Sequence, residues 1–321
     1  MAPVTFRGGR LAPDYSKPRL LLGPRLELGT VIPAAPPARD WCTAAGPYDM
    51  LGNADWGDCV LAEAGHHEQS VSTFGAKTPV RLTTDEVLTA YSAITGFDPH
   101  AGPPGSNPTD RGTNMQRALG YWRKKGIGGR KILAFAEVNV HNLSEVVAAI
   151  EVFGALAVGV NLPAAAMDQF NAGESWTVLT DDGGIEGGHA VHVAGFDRDA
   201  KTFTLTTWGR VTTMTWAWWL AYVEEAWVPV LPEWLDATGH SPAGLDLQGL
   251  GADFATLTGD PNPFPTQVPP APVVPPFRDL VVAVEALAGD PESVGWLTRH
   301  HHGEPHQTPA LLAAVLAAPR A

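Results

Sequence analysis

Apolar positions recur at helical spacing in the first half of this 321-residue chain and at strand spacing in the second. Residues 59–73 are helix-compatible and follow Gly57-Asp58, which predicts a helix opening at Cys59. Thr83-Thr84-Asp85-Glu86 caps a second apolar stripe, Val87-Leu88-Thr89-Ala90-Tyr91. Residues 114–125 read as a third helix ended by Gly126, and 144–152 as a fourth ended by Gly154. From Ala155 the period changes. Residues 155–160, 190–196, 203–208 and 228–231 read as strands, with a short helix inside 214–226. Helices first and strands second predict an α+β fold, not an alternating parallel sheet.

Proline and glycine set the boundaries. Pro3, Pro13, Pro18, Pro24, Pro33, Pro36 and Pro37 break any helical period, so residues 1–36 read as an extended arm. A compact domain is expected over 37–232, with a surface loop at 98–110. Residues 233–277 read as a Pro/Gly-rich linker, partly polyproline II. Residues 278–321 carry two short helical patterns, at 279–287 and 310–318. No internal repeat is visible.

Composition narrows the function. The formal charge of −13 and the lack of a basic run exclude a nucleic-acid surface. No apolar run of membrane-spanning length and no secretory pattern is present, so no membrane partner is expected. The expected location is the cytoplasm or a phage particle. Abundant Arg, Ala, Pro and Gly have the flavour of a high-GC genome. Two cysteines, Cys42 and Cys59, do not make a disulfide framework.

The chemistry gathers around Cys59. A thiol at a helix start meets the positive end of the backbone dipole, which favours a thiolate. Gly57 lets a substrate backbone approach closely. The Cys59 amide and the Asn53 side chain could supply two donors to an oxyanion. His189, in Gly187-Gly188-His189-Ala190-Val191, would serve as base and then acid, and its ring needs an orienting partner. The other candidates read as ordinary structure. Cys42 is packing, and His66 and His67 are solvated or core-edge residues. His192 faces away from His189, and Trp216, Trp218, Trp219 and Trp227 pack in the core and rim. His300, His301, His302 and His306 form a solvated tract. No cofactor and no metal site is expected.

Taken together, these motifs resemble the papain family of cysteine peptidases. The match rests on Asp40-Trp41, Asn53 six residues before Cys59, Cys59 opening a helix, His189-Ala190-Val191, and Thr206-Thr207-Trp208-Gly209. Asp110-Arg111-Gly112-Thr113-Asn114 resembles the family's glycine strand. The resemblance covers about residues 37–231. It implies a two-lobed fold, a helical lobe followed by an antiparallel β lobe, and a thiol hydrolase acting on peptides or proteins. It makes Cys59 and His189 the catalytic pair, with Asn53 as oxyanion donor and Thr206 as orienter. Gly57, Gly112, Thr113, Gly188 and Trp208 would line the substrate cleft. Asn53 replaces the family's Gln and Thr206 its Asn, and the family's disulfide partners are absent. The arm is far shorter than the family's inhibitory propeptide, so latency by that route is not implied.

A second reading keeps the fold and weakens catalysis. It makes the chain a structural or binding subunit, such as a phage-particle component, with arm or tail bound to assembly partners. A cell-wall amidase of the NlpC type ranks low, because Val60-Leu61 follows Cys59 and His189 is far away. A transglutaminase-like reaction would want an Asp where Thr206 stands.

Overall fold

A computed structural model describes residues 8–27, 31, 35–235 and 245–264. The helical patterns of the tail and its histidines lie outside the described residues. Three helices come first: α1 (Cys59–Gly75), α2 (Thr84–Thr95) and α3 (Met115–Lys124). Each starts where the sequence places it. Thr83 and Glu86 form a reciprocal capping box on α2, and the Asn114 side chain caps α3.

A seven-stranded antiparallel sheet follows. Its strands are β1 (Ala38–Asp40), β2 (Ala134–Glu137), β3 (Leu156–Pro163), β4 (Ile185–Asp197), β5 (Thr202–Thr207), β6 (Arg210–Thr215) and β7 (Val223–Val230). The order is β2-β7-β3-β4-β5-β6, with β1 also paired to β4. Helices α4 (Leu143–Phe153), α5 (Ala164–Ala172) and α6 (Trp216–Tyr222) sit between strands in sequence. Sequence periodicity misses β1, β2, β6 and α5, all short elements.

Alternation along β4 divides the core. Val191 and Val193 pack with α4, α5 and the tryptophans of α6. Ala190 and Ala194 face Cys59 and the helical lobe. Helix α1 is buried along most of its length, polar residues included. His66 Nε2 bonds the Asp49 carbonyl at 2.8 Å, and Gln69 donates to the Ala45 and Pro47 carbonyls at 2.7 and 2.8 Å. His66 and His67 are thus core residues, because α1 is enclosed on all sides and not on one face.

Two flanking segments join this core. Within the proposed linker, Leu247–Thr258 forms a capped helix, α7, with Leu247, Leu250 and Phe254 in the core. The described part of the arm is not separate, and it holds a 3-10 turn at Gly23–Arg25. Leu20, Leu22 and Leu26 are buried in the same core, and Leu22 donates its backbone N–H to Glu137.

Candidate active site

Cys59 is the first residue of α1 and is 1% exposed. The turn before it is tied to the rest of the helical lobe. Asn53 Nδ2 donates to the Trp56 carbonyl at 2.9 Å. The Gly57 amide donates to both Asp110 carboxylate oxygens, at 3.1 and 3.0 Å. Tyr91 Oη donates to Asp110 at 2.7 Å and accepts from the Gly112 amide at 2.9 Å. Asp110 and Tyr91 therefore lock the two glycine walls, Gly57 and Gly112, into one frame. Neither stands out in sequence, because their roles depend on contacts 19 to 53 residues apart.

His189 lies on β4, fully buried. Its Nε2 shares a 2.7 Å hydrogen bond with Thr207 Oγ1, and its ring stacks on Trp208 at 4.3 Å and 14°. Thr207, not Thr206, is the residue placed to orient the imidazole. The register explains it. Thr206 is the direct partner of His192 in the β4–β5 pair, so both point to the helical side. Thr207 points to the opposite face, which His189 shares because it is three residues from His192. The hairpin from β5 to β6 turns through Trp208 and Gly209, with φ of +45° and +67°. Two positive φ values are the mark of the turn that matches strand twist. Here they lay the indole over His189.

The backbone amide of Ala190, next to His189, reaches the Cys59 thiol. That contact brings the thiol to the β4 backbone one residue from His189. The Gly9 amide reaches the same thiol, yet burial outweighs both donors and pushes Cys59 up to about 12. Burial, helped by the nearby Arg10 charge, pushes His189 down to about 3. Burial also holds the Asp58 carboxyl well above its ordinary value. Burial thus favours the neutral form of both the thiol and the imidazole.

The chain's own arm adds to this burial. Gly9 accepts from the Thr113 amide at 2.8 Å, Leu11 donates to the Thr113 carbonyl at 3.0 Å, and Arg10 donates to the Gly188 carbonyl at 3.3 Å. Of the residues expected to line the cleft, Gly57, Gly112, Thr113 and Gly188 lie against this segment, and Trp208 lies on the His189 ring. The short arm therefore reaches the Cys59 thiol, contrary to the expectation from its length. Residues 8–11 suffice because only a short run of backbone has to cross the cleft.

One further cluster lies on α1 and β4. Ligand atoms of Glu63, His67 and His192 fall within 4.8 Å of one another, all buried. His67 Nδ1 and Glu63 Oε1 are 3.3 Å apart, and burial raises the Glu63 carboxyl and lowers both histidines. Burial disfavours charge on all three groups.

No protein-family model and no curated protein matches the sequence. Solved structures do. Xylellain, a cysteine protease from Xylella fastidiosa, is 15% identical with a TM-score of 0.55, covering 72% of this chain and 98% of its own. The proform of the ragweed pollen cysteine protease Amb a 11 is 16% identical with a TM-score of 0.45, covering 62% and 67%. A recombinant stem bromelain precursor is 14% identical with a TM-score of 0.45, covering 71% and 78%. This chain has the fold of the papain-like cysteine proteases.

Proposed function

We propose that the protein is a thiol hydrolase cleaving peptide or amide bonds through Cys59 and His189. The observation that carries this reading is the mounting of His189. Its ring is held between the Thr207 hydroxyl and the Trp208 face, one residue from the amide that meets the helix-start thiol. A histidine that only filled the core would need no such orientation. In the reaction His189 takes the Cys59 proton and the thiolate attacks the amide carbonyl; the Cys59 amide serves the oxyanion, joined by the Asn53 side chain once it releases the Trp56 carbonyl or Asp58. His189 gives its proton to the leaving amine as the C–N bond breaks. Water then attacks the thioester, His189 takes its proton, and the acid and free thiol are released.

The test is reaction of full-length protein with a thiol-directed epoxide, alongside hydrolysis of a peptide library. It is run on wild type and on Arg10→Ala, which loosens the arm. Adducts at Cys59 and cleavage are expected, both lost in Cys59→Ala. No adduct and no cleavage from either protein overturns the proposal and favours the non-catalytic subunit.

A further inference from the structure

The arm does not merely cover the cleft; it fills a pocket there that fits one kind of side chain. Arg10 is 5% exposed. Its Nη1 donates to Glu225 Oε1 at 2.8 Å, and its Nη2 donates to Glu224 Oε2 at 2.6 Å, Asn161 Oδ1 at 2.8 Å and the Val160 carbonyl at 3.4 Å. Glu225 is itself fully buried and is fixed by the Trp227 indole, which donates to its other oxygen at 2.7 Å. Such a carboxylate is costly unless a cation faces it. Gly159 leaves the room: a Cβ there would stand 2.7 Å from both Arg10 Cδ and Glu225 Cγ.

The backbone of the segment is equally constrained. A Cβ on Gly112 would stand 2.1 Å from the Gly9 oxygen, and one on Gly188 would stand 2.2 Å from the Arg10 oxygen. A Cβ on Gly9 would stand 1.7 Å from the Gly57 oxygen. Main-chain hydrogen bonds plus one side-chain pocket are how a groove reads an extended peptide. The atom of Gly9 that faces the sulfur is an amide N–H, not a carbonyl carbon. The segment as placed is an occupant and not a substrate poised for attack.

We propose that the pocket of Glu225, Glu224 and Asn161 selects peptides carrying an arginine or lysine, and that Arg10 of the chain's own arm is its resident competitor. This rests on the thiol-hydrolase reading. It makes Glu225 a specificity-determining residue and makes residues 8–11 a latch that must lift before substrate enters.

The experiment compares Cys59 labelling rates in full-length wild type, Arg10→Ala and Gly9→Ala. The probes are two peptidyl epoxides that differ only in an arginine or a citrulline side chain. Gly9→Ala dislodges the latch by backbone clash without touching pocket or charge, and stands alone if Arg10→Ala fails to fold. Labelling at least about tenfold faster than wild type is expected in both variants, since each removes a buried anchor of the latch. In the opened variants the arginine probe should lead citrulline by about tenfold or more, a lead abolished by adding Glu225→Gln. A synthetic peptide of residues 8–13 should slow the Gly9→Ala chain, and its alanine-10 version should not. Labelling of both variants at the wild-type rate, or without preference for arginine, overturns this inference and leaves the thiol hydrolase standing. Absence of labelling in every variant overturns the thiol hydrolase itself.

Discussion

At the scale of single residues, a one-position offset decides which threonine serves the imidazole. Thr206 aligns with the family's orienting Asn, but its side chain points to the helical lobe near Cys42 and Tyr48. Thr207 meets His189 at 2.7 Å. Thr207→Val should lower kcat/KM by about ten- to a hundredfold, mainly in kcat, because it frees the ring of the general base. Thr206→Val should cost far less, and steady-state kinetics on one peptide separates the two. The pH behaviour of the thiol follows from its burial. A thiol pushed up to about 12 is protonated at neutral pH, and only the thiolate is alkylated. Alkylation of closed wild type should therefore climb about tenfold per pH unit through pH 10, with no plateau near the free-thiol value of about 8.5. Lifting the latch removes part of that burial and should move the plateau to lower pH.

At the scale of elements, local sequence rules place most starts and ends. Asn114 and Thr83 cap their helices, and Gly96 and Gly154 end theirs in the left-handed conformation. These features were legible because capping involves neighbours in sequence. Strands β1 and β2 were not legible, because three or four residues carry too little alternation; pairing with β4 and β7 defines them. Helix α7 was hidden by its Gly-rich composition and is held by Leu250 and Phe254 in the core. The Trp208-Gly209 hairpin joins element to site. Gly209→Ala places a side chain at φ +67° with its Cβ 3.1 Å from the Tyr48 carbonyl oxygen. A loss of about 1–2 kcal/mol in stability is expected from the backbone alone. Urea denaturation measures it, and activity should fall further as the indole shifts off His189.

At the scale of the molecule, the arm does two jobs along its length. Residues 8–11 form the latch, while Leu20, Leu22 and Leu26 are part of the hydrophobic core. The described part of the arm is thus bonded to its own chain. Leu22→Ala should cost about 2–5 kcal/mol, the price of a core cavity, although Leu22 lies in a proline-spaced segment. Denaturant unfolding checks this, and a loss under about 0.5 kcal/mol, typical of surface sites, would show the arm to be peripheral. Among the described residues no helix is long and apolar enough to cross a membrane.

The sequence alone determined the helix that opens at Cys59, the histidine strand, the Trp-Gly turn and the order of lobes. Each is written in residues close together, or in motifs whose spacing repeats a known family. Only the tertiary structure decided that Thr207 holds His189, that Asp110 and Tyr91 frame the glycine walls, and that Arg10 meets Glu225 across 215 residues of chain. Strand register flips a side chain to the other face with one step, and a buried ion pair forms only where folding brings both charges out of water. Neither quantity can be read from neighbours along the chain.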